Sequence, residues 1–485
     1  MMHLADLLAV LNIASDSNIS DDVVVRELVI DSRKVSQGAL FCAYKGVAAD
    51  GRDHLLQAQK NGAIAILYDA LDFALPSDIT IPAFSVTGLQ QQVGVLAHHF
   101  FGRACDEMQV FGVTGTNGKT TCCYLLTQAL THLGTQAAMI GTIGVGKLDS
   151  LVSADHTTPD PIALHKKLAE FRDQGITQVC MEVSSHALHQ GRVNGVEFFC
   201  TLFTNLSHDH LDYHGDMASY GAAKQRLFTN FHSELVVTNA SDPLGASLID
   251  LANAEFIVSY GQGGDVYADE VTLGADGIIF EFEGNGVDFS ASTPLIGAVN
   301  IPNVEMLVAT LLALSTPVED IKAILESLAP APGRMELYRA PSGTSVVVDY
   351  AHTPDALEKA LLSIKQHCHG ELLCVFGCGG DRDQAKRSVM GSVADKVADR
   401  LIVTNDNPRS EDPATIADQI VAGISGDYQI ILNRAEAIAT AISQANSGDW
   451  VLVAGKGHET TQKIGTELLK FSDREQVQQT LGVVS

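Results

Sequence analysis

Lys119 sits in the run "FGVTGTNGKTT", residues 111–121, with Gly115 and Gly118 before it and Thr120 and Thr121 after it. An apolar run, "MQVFGV", precedes this stretch and a helix-like run, "TTCCYLLTQALTHLG", follows it. These residue types suit a phosphate. Glycines let backbone N–H groups approach an anion closely, a Lys reaches the terminal phosphates, and a Ser or Thr hydroxyl can serve Mg²⁺. A helix starting at Thr120 would point its positive end at the same anion. The spacing departs from G-x-x-x-x-G-K: the first-glycine position is Val113, and Gly112 lies one residue too early. An ordinary Gly-rich turn is the alternative; strand, loop, Lys, Thr and helix together favour phosphate.

Two further clusters carry chemistry. "QVCMEVSSH" places Glu182 at the end of a buried strand, where a second Mg²⁺ ligand or a water-positioning carboxylate often sits. "TNLSHDHLDYHGDMASYGAAKQRLF" gathers His208, Asp209, His210, Asp212 and His214. This set resembles a zinc cluster. It also fits a polar loop with packed imidazoles, or one His on Mg²⁺ beside a nucleotide. Spacing alone does not choose among the three.

The elements that must hold these residues follow from the rest of the chain. At 485 residues and 46% hydrophobic, it is too long for one ordinary core, and two to four domains are expected. A net charge of −27 argues against a nucleic-acid partner, since little here would neutralise a phosphate backbone. The nine cysteines show no CxxC pair, which points to reduced, mostly buried thiols in a cytosolic protein. "MMHLADLLAVLNIASDS" is a poor signal peptide, and Leu4, Leu7, Leu8 and Leu11 fit one face of a first helix. No apolar run approaches the ~18 residues of a membrane span. There is no internal repeat.

Short apolar runs up to about Leu89 form one segment, and the helix-like "LQQQVGVLAHHFFG" opens the next. "SLAPAPGRMELYRAPSG", residues 327–343, is the best linker candidate. Beyond it, "SVVVDY", "ELLCVFG", "RLIVTND" and "DWVLVAG" alternate with helical patterns. Continuous apolar strands between helices predict α/β domains with parallel sheets covered on both faces. The polar clusters "GTNGKT", "EVSSH", "DNPR" and "GKGHE" each follow a strand-like run. At the carboxyl ends of parallel strands they would line ligand crevices.

In order along the chain, "TGTNGKTT", "MEVSSH", "FTNLSHDHLDYHG", "YGAAK", "GRME", "VDYAHTPDAL", "FGCGGDRDQAKR", "DNPR" and "GKGHE" resemble the Mur ligases, ATP-dependent amide ligases that build the peptidoglycan stem peptide. The resemblance runs over essentially the whole chain. It implies three α/β domains: an N-terminal uridine-nucleotide domain over 1–88, a central P-loop ATPase-like domain over 89–334, and a C-terminal Rossmann-like, amino-acid-binding domain over 335–485. It implies a cytoplasmic, monomeric enzyme using ATP and Mg²⁺. The ATP phosphates would lie on Gly115, Thr116, Asn117, Gly118, Lys119, Thr120 and Thr121, with Asp349 and His352 on the adenine and ribose side. Asp349 could equally cap the helix "TPDALEKALL". By resemblance Thr120 and Glu182 serve one Mg²⁺ and His210 a second, and Lys224 of "YGAAK" becomes carbamylated. A salt-bridged surface lysine is the plain alternative for Lys224. The UDP-N-acetylmuramoyl peptide would contact Ile30, Ser32, Val47, Ala48 and Ala49, the last three through backbone, and Thr157, Thr158, Ser184, Gln190 and Arg192.

Within the family, "HTTPDP" and "DNPR" point to members that add 2,6-diaminopimelate to UDP-N-acetylmuramoyl-L-alanyl-D-glutamate, with the meso isomer the family expectation. Diaminopimelate carries one carboxylate more than lysine, and a forked Arg suits a carboxylate better than Lys does. Arg409 of Asp406, Asn407, Pro408 and Arg409 supplies that fork. Arg382 could hold the other carboxylate, with Gly455 and Glu459 receiving the ammonium. A member adding L-lysine or another amino acid is the alternative.

Overall fold

Strands that read as unbroken apolar runs have no polar face to give to water, so they pair in parallel and are covered on both sides. That is the arrangement in the computed structural model, which describes residues 1–13, 23–47, 49–154, 156–284 and 286–482. The chain divides into two compact units, Met1–Ser259 and Tyr260–Ser485.

The first unit holds two sheets whose central pairings are parallel, beside a short antiparallel pair, Met2–His3 with Val24–Val25. Strands Glu27–Val29, Ala39–Ala43, Ala63–Tyr68 and Ala83–Ser85 lie side by side in chain order, all parallel. Leu40, Cys42, Ala65 and Leu67 pack on one face against Leu89, Val93 and Leu96 of the helix Leu89–Phe100. The first helix, Leu4–Val10, buries Leu4, Leu7 and Leu8 in the same core, as its spacing predicts, and Leu11 serves as its C-terminal cap.

The second sheet places strand Gln109–Thr114 between Gln178–Glu182 and Cys200–Phe203, with parallel pairing on both sides. Ala137–Gly141 extends the sheet beyond Gln178–Glu182, and Ser233–Asn239 extends it beyond Cys200–Phe203. From Gln109–Thr114 the chain runs through the helix Lys119–His132 to Ala137–Gly141 on one side, and only later supplies Cys200–Phe203 on the other. The strand order therefore reverses at Gln109–Thr114, which opens a crevice beyond its carboxyl end.

In the second unit, Val266–Gly274, Gly277–Gly284 and Val287–Thr293 form an antiparallel meander. A six-stranded sheet follows in the order Glu336–Arg339, Ser345–Asp349, Trp450–Ala454, Leu372–Phe376, Arg400–Val403 and Tyr428–Ile430. It is parallel except for its first pair. Apolar clusters cover both faces.

Residues 327–343 are not a loose linker. Leu328, Ala331 and Met335 are buried, and Glu336–Arg339 is a sheet strand. Gly333, at φ +64°, crosses Gly457 so closely that a Cβ would lie 2.1 Å from the Gly457 carbonyl carbon. The Pro and Gly content of this stretch serves a tight backbone crossing.

No helix among the described residues is long and apolar enough to cross a membrane. All nine cysteines are free thiols, and only Cys368 is partly exposed.

Candidate active site

The strand Gln109–Thr114 ends at Gly115, whose φ is +148°. A Cβ there would lie 1.8 Å from Thr204 Oγ1, so only glycine lets the loop pass this close to the end of the neighbouring strand. Gly118, at φ +84°, turns the chain into the helix Lys119–His132. Residues just after Phe203 fasten the loop. Thr204 Oγ1 donates to Asn117 O at 2.6 Å, Asn117 N donates to Asn205 Oδ1 at 3.1 Å, and Thr116 N donates to Asn205 O at 2.7 Å. Ser207 N donates to Thr116 Oγ1 at 2.9 Å. Lys119 Nζ folds over the loop and donates to Gly115 O at 2.9 Å and Thr116 O at 2.8 Å. The result is a cradle at a helix N-terminus with a lysine across its mouth, built to receive a phosphate.

Glu182, buried at the end of its strand, faces the cradle. Thr120 Oγ1 donates to its Oε2 at 2.9 Å, and Thr142 N donates to its Oε1 at 2.7 Å. Thr158 Oγ1 donates to Glu182 O at 2.8 Å, and Ser184 N donates to Thr158 Oγ1 at 3.1 Å. Arg192 donates through Nη1 to Thr158 O at 3.0 Å and through Nη2 to Gln190 Oε1 at 2.7 Å. Thr157 shares a 2.9 Å hydrogen bond with Thr142. Thr157, Thr158, Ser184, Gln190 and Arg192 thus form one hydrogen-bonded group running outward from Glu182.

Lys224 projects from the helix Met217–Thr229 and is 1% exposed. Its Nζ donates to Gly115 O at 2.6 Å and lies 4.6 Å from the Tyr220 ring centroid. It is not a salt-bridged surface lysine. Burial drives its pKa well below the ordinary lysine value; the positive charge of Lys119 adds to that, and Asp209 opposes it. Tyr220 Oη meets Thr116 Oγ1 at 3.1 Å. His210, at φ +52°, stands in the left-handed region directly before Leu211–His214. Burial lowers its pKa, Asp209 opposes that shift, and the Lys119 charge adds to it. His214 turns away to Ser185 Oγ at 3.0 Å. Among the described residues, the ligating atoms of the 208–214 set are not gathered within reach of one ion.

The candidates nearer the N-terminus form a looser group. Ser32 is buried and its hydroxyl donates to Gln57 Oε1 at 3.0 Å. Ile30 directly follows Glu27–Val29. Val47 is 72% exposed, and Ala49 O accepts from Gly46 N at 2.9 Å. Ala48 lies outside the described residues. Tyr44 feels the charges of Asp160 and Arg192, which brings the end of this sheet beside the Thr158–Arg192 group.

In the second unit, four polar loops meet at the carboxyl ends of parallel strands. Asp349 accepts from Met335 N at 2.8 Å and Ala351 N at 2.9 Å. The helix Pro354–Lys365 is capped by Thr353, so Asp349 is not its cap. His352 is exposed, with Nδ1 2.8 Å from Tyr350 O. Asn407 Nδ2 donates to Glu459 Oε2 at 2.9 Å, and the fully buried Lys456 donates to the same oxygen at 2.8 Å. Gly455, at φ +121°, leaves only 2.7 Å between a Cβ and Asp406 Oδ2. Pro408 O would meet a Cβ on Gly380 at 1.9 Å. Arg409 Nη1 donates to Gly380 O at 2.6 Å. Both guanidinium-bearing chains converge on Gly379, where a Cβ would lie 2.8 Å from Arg409 Nη1 and 3.8 Å from Arg382 Cγ. Asp406, Asn407, Pro408, Arg409, Arg382, Gly455 and Glu459 are thereby brought together.

Sequence reasoning missed the residues that fix the cradle: Thr142, Thr204, Asn205, Ser207 and Tyr220. The last four lie inside quoted motifs. Their contribution is a hydrogen bond across the sheet, which a single motif does not reveal. Lys456 was likewise hidden inside "GKGHE".

A phosphate cradle at a strand-order reversal, followed by a separate parallel-sheet unit with a cationic loop cluster, defines a nucleotide-using α/β enzyme of two working surfaces. The chain belongs to the Mur ligase family: models for the Mur ligase family catalytic domain, the Mur ligase middle domain and the Mur ligase glutamate ligase domain match residues 24–91, 113–313 and 333–457. It is 42% identical over 478 residues to the UDP-N-acetylmuramoyl-L-alanyl-D-glutamate–2,6-diaminopimelate ligase of Coxiella burnetii (strain RSA 493 / Nine Mile phase I), covering 96% of this chain and 98% of that relative. A solved structure of a ligase with that same activity name superposes with a TM-score of 0.72 at 32% identity, covering 99% of each chain. The MurF ligase of Thermotoga maritima in complex with ADP shares the fold, with a TM-score of 0.62 at 20% identity over 95% of this chain and 98% of that one.

Proposed function

We propose that this chain is an ATP-dependent amide ligase that adds meso-2,6-diaminopimelate to UDP-N-acetylmuramoyl-L-alanyl-D-glutamate, acting as a cytoplasmic monomer in peptidoglycan precursor synthesis. The reading takes residues 1–88, 89–334 and 335–485 as the uridine-nucleotide, ATPase and amino-acid domains, in line with the three family segments. A substrate carboxylate oxygen attacks the γ-phosphorus of ATP and ADP leaves, giving an acyl phosphate. The amine nitrogen then attacks the acyl carbon, and phosphate departs with the electron pair of the C–O bond.

The first step brings two anions together and both steps build negative charge on oxygens, so fixed cations and N–H groups are the main catalytic resource. Residues Gly115 to Thr121 hold the ATP phosphates, and Lys119 exchanges its loop carbonyls for phosphate oxygens. Mg²⁺, when bound, supplies positive charge against those oxygens. Thr120, Glu182, His210 and a carbamylated Lys224 suit it, since they would offer a hydroxyl, a carboxylate, an imidazole and a carbamate beside a loop closed to any Cβ. Lys224 is buried, and burial drives its pKa well below the ordinary lysine value, which favours the free amine, the form that attacks CO₂ to give a carbamate and a proton. Asp349 and His352 take the adenine and ribose side. Thr157, Thr158, Ser184, Gln190 and Arg192 hold the uridine-nucleotide peptide, with Ile30, Ser32 and residues 47–49 on its nucleotide end.

The observation that carries the choice of amino acid is Arg409. Its guanidinium is seated against Gly380 O beside Arg382, while Glu459 faces the same loop cluster. Purified protein with ATP, Mg²⁺ and the muramoyl dipeptide, offered each candidate amino acid in turn, tests it by phosphate release and product mass. Amide formation with L-lysine at the diaminopimelate rate would replace this reading with the lysine-adding one.

A further inference from the structure

Away from the phosphate cradle, three buried side chains with metal-ligating atoms meet in the first unit. His98 lies on the helix Leu89–Phe100, Cys105 on the 3₁₀ turn Ala104–Glu107, and His165 on the helix Pro161–Asp173. They are 4%, 3% and 2% exposed, and one ligating atom from each lies within 4.8 Å of the other two. This is the only such group among the described residues. Cys105 stands just before the amino end of strand Gln109–Thr114, whereas the phosphate cradle follows its carboxyl end. The strand's length separates them by about 20 Å.

Two observations point to a ligand. His98 Nδ1 is buried without a hydrogen-bond partner among the described residues, a costly state for a polar atom unless something binds it. The Nε2 atom of each ring already has an oxygen neighbour. His98 Nε2 lies 3.5 Å from Asp106 Oδ1, and His165 Nε2 lies 3.0 Å from Asn194 O. A carboxylate or carbonyl on one ring nitrogen fixes the tautomer and presents the other as a ligand. Burial lowers the pKa of both rings, that of His165 to about 4, and raises that of the Cys105 thiol to about 12, so a bound cation must displace the thiol proton against that shift. Two cavities border the group. A cavity of about 520 Å³ reaches His98, and another of about 620 Å³ reaches Cys105; both are lined by Glu197 and His232.

We propose that His98, Cys105 and His165 form a structural site for a borderline-soft divalent cation of the Zn²⁺ type, with Asp106 orienting His98. Two imidazoles and a thiolate are the donor set such an ion prefers, and Mg²⁺ at the nucleotide cradle would not compete for it. Binding displaces the Cys105 thiol proton and ties two helices and the turn before the central strand together. The site is independent of the ligase reading.

The test uses the full-length protein, stripped with a chelator under reducing conditions and titrated with Co²⁺ and then Zn²⁺. About one equivalent of Co²⁺ should bind, with a thiolate-to-cobalt charge-transfer band and tetrahedral visible bands that Zn²⁺ bleaches. Cys105→Ser should lose the charge-transfer band, and His165→Gln should bind ~10-fold or more weakly. X-ray absorption of the zinc-loaded wild type needs no variant. It should show one sulfur near ~2.3 Å and two nitrogens near ~2.0–2.1 Å. A shell without sulfur, no uptake, or uptake unchanged by Cys105→Ser would each overturn the proposal.

Discussion

Arg409→Ala is a clean perturbation because the backbone at 409 is held independently of its side chain. Arg409 N donates to Lys463 O at 3.1 Å, and Arg409 O accepts from Gly465 N at 2.6 Å. Truncation removes a guanidinium whose hydrogen bonds go to backbone carbonyls, those of Gly380 and Asn407. Asp381, a carboxylate that feels its charge, is held by Ser410, so the cost falls on the ligand. Losing one side of a partly buried ion pair costs about 2–5 kcal/mol. At ~1.4 kcal/mol per decade, kcat/KM for diaminopimelate should fall roughly 30-fold to several-thousand-fold. Arg409→Lys keeps the charge without the fork and should fall between. The assay is phosphate release with product mass, run with diaminopimelate and L-lysine side by side. Activity with L-lysine should change far less, since it lacks the second carboxylate. A folded Ala variant whose kcat/KM for diaminopimelate stays within about threefold, under ~0.7 kcal/mol, would refute the assignment.

Gly115→Ala forces a Cβ to 1.8 Å from Thr204 Oγ1 at φ +148°; it should cost about 1–3 kcal/mol of stability by denaturant titration and abolish tight ADP binding by calorimetry. Removing dissolved CO₂ should lower ligase activity and bicarbonate should restore it, while Lys224→Met should stay folded by circular dichroism and lose on the order of 10²-fold or more in rate. Asp473→Asn leaves Arg434 charged, fully buried and missing the partner it now meets at 2.7 Å, and should cost about 3–5 kcal/mol in chemical denaturation. In chelator-treated protein, His165 has a folded pKa of about 4 against an ordinary 6.5. Between those values the unfolded chain takes up the proton and the folded chain does not. Its stabilising share is therefore intact above pH 6.5 and declines by ~3 kcal/mol as pH falls toward 4, a loss that His165→Gln should remove from the pH–stability curve.

The α/β class and the parallel sheets were legible because both-face burial writes itself as unbroken apolar runs. Lys119, Glu182 and Arg409 were legible because each sits in a short motif directly after such a run. The role of Asp349 was not, because a carboxylate after a strand reads the same whether it caps a helix or holds backbone N–H groups across a turn. Residues 327–343 carry a related ambiguity: Pro and Gly mark flexible linkers and tight crossings alike, and the approach of Gly333 to Gly457 makes this stretch a tight crossing. Thr142, Thr204 and Tyr220 act through partners on other strands or helices, so no local pattern could mark them. The His98, Cys105 and His165 group is the extreme case, with its members on three elements that only folding brings together.

The crossing of Gly333 and Gly457 also has a mechanical meaning. Two main chains that touch with no side chain between them behave as a clasp: neither can slide without dragging the other. The turn that leads into the outermost strand of the six-stranded sheet is thus yoked to the lysine-bearing loop that seats Asn407 and Glu459. A hinge motion arriving along residues 328–335 would be delivered straight to the loops carrying Asn407 and Glu459, and any bulky replacement at either glycine would jam that transmission while leaving every charged group in place.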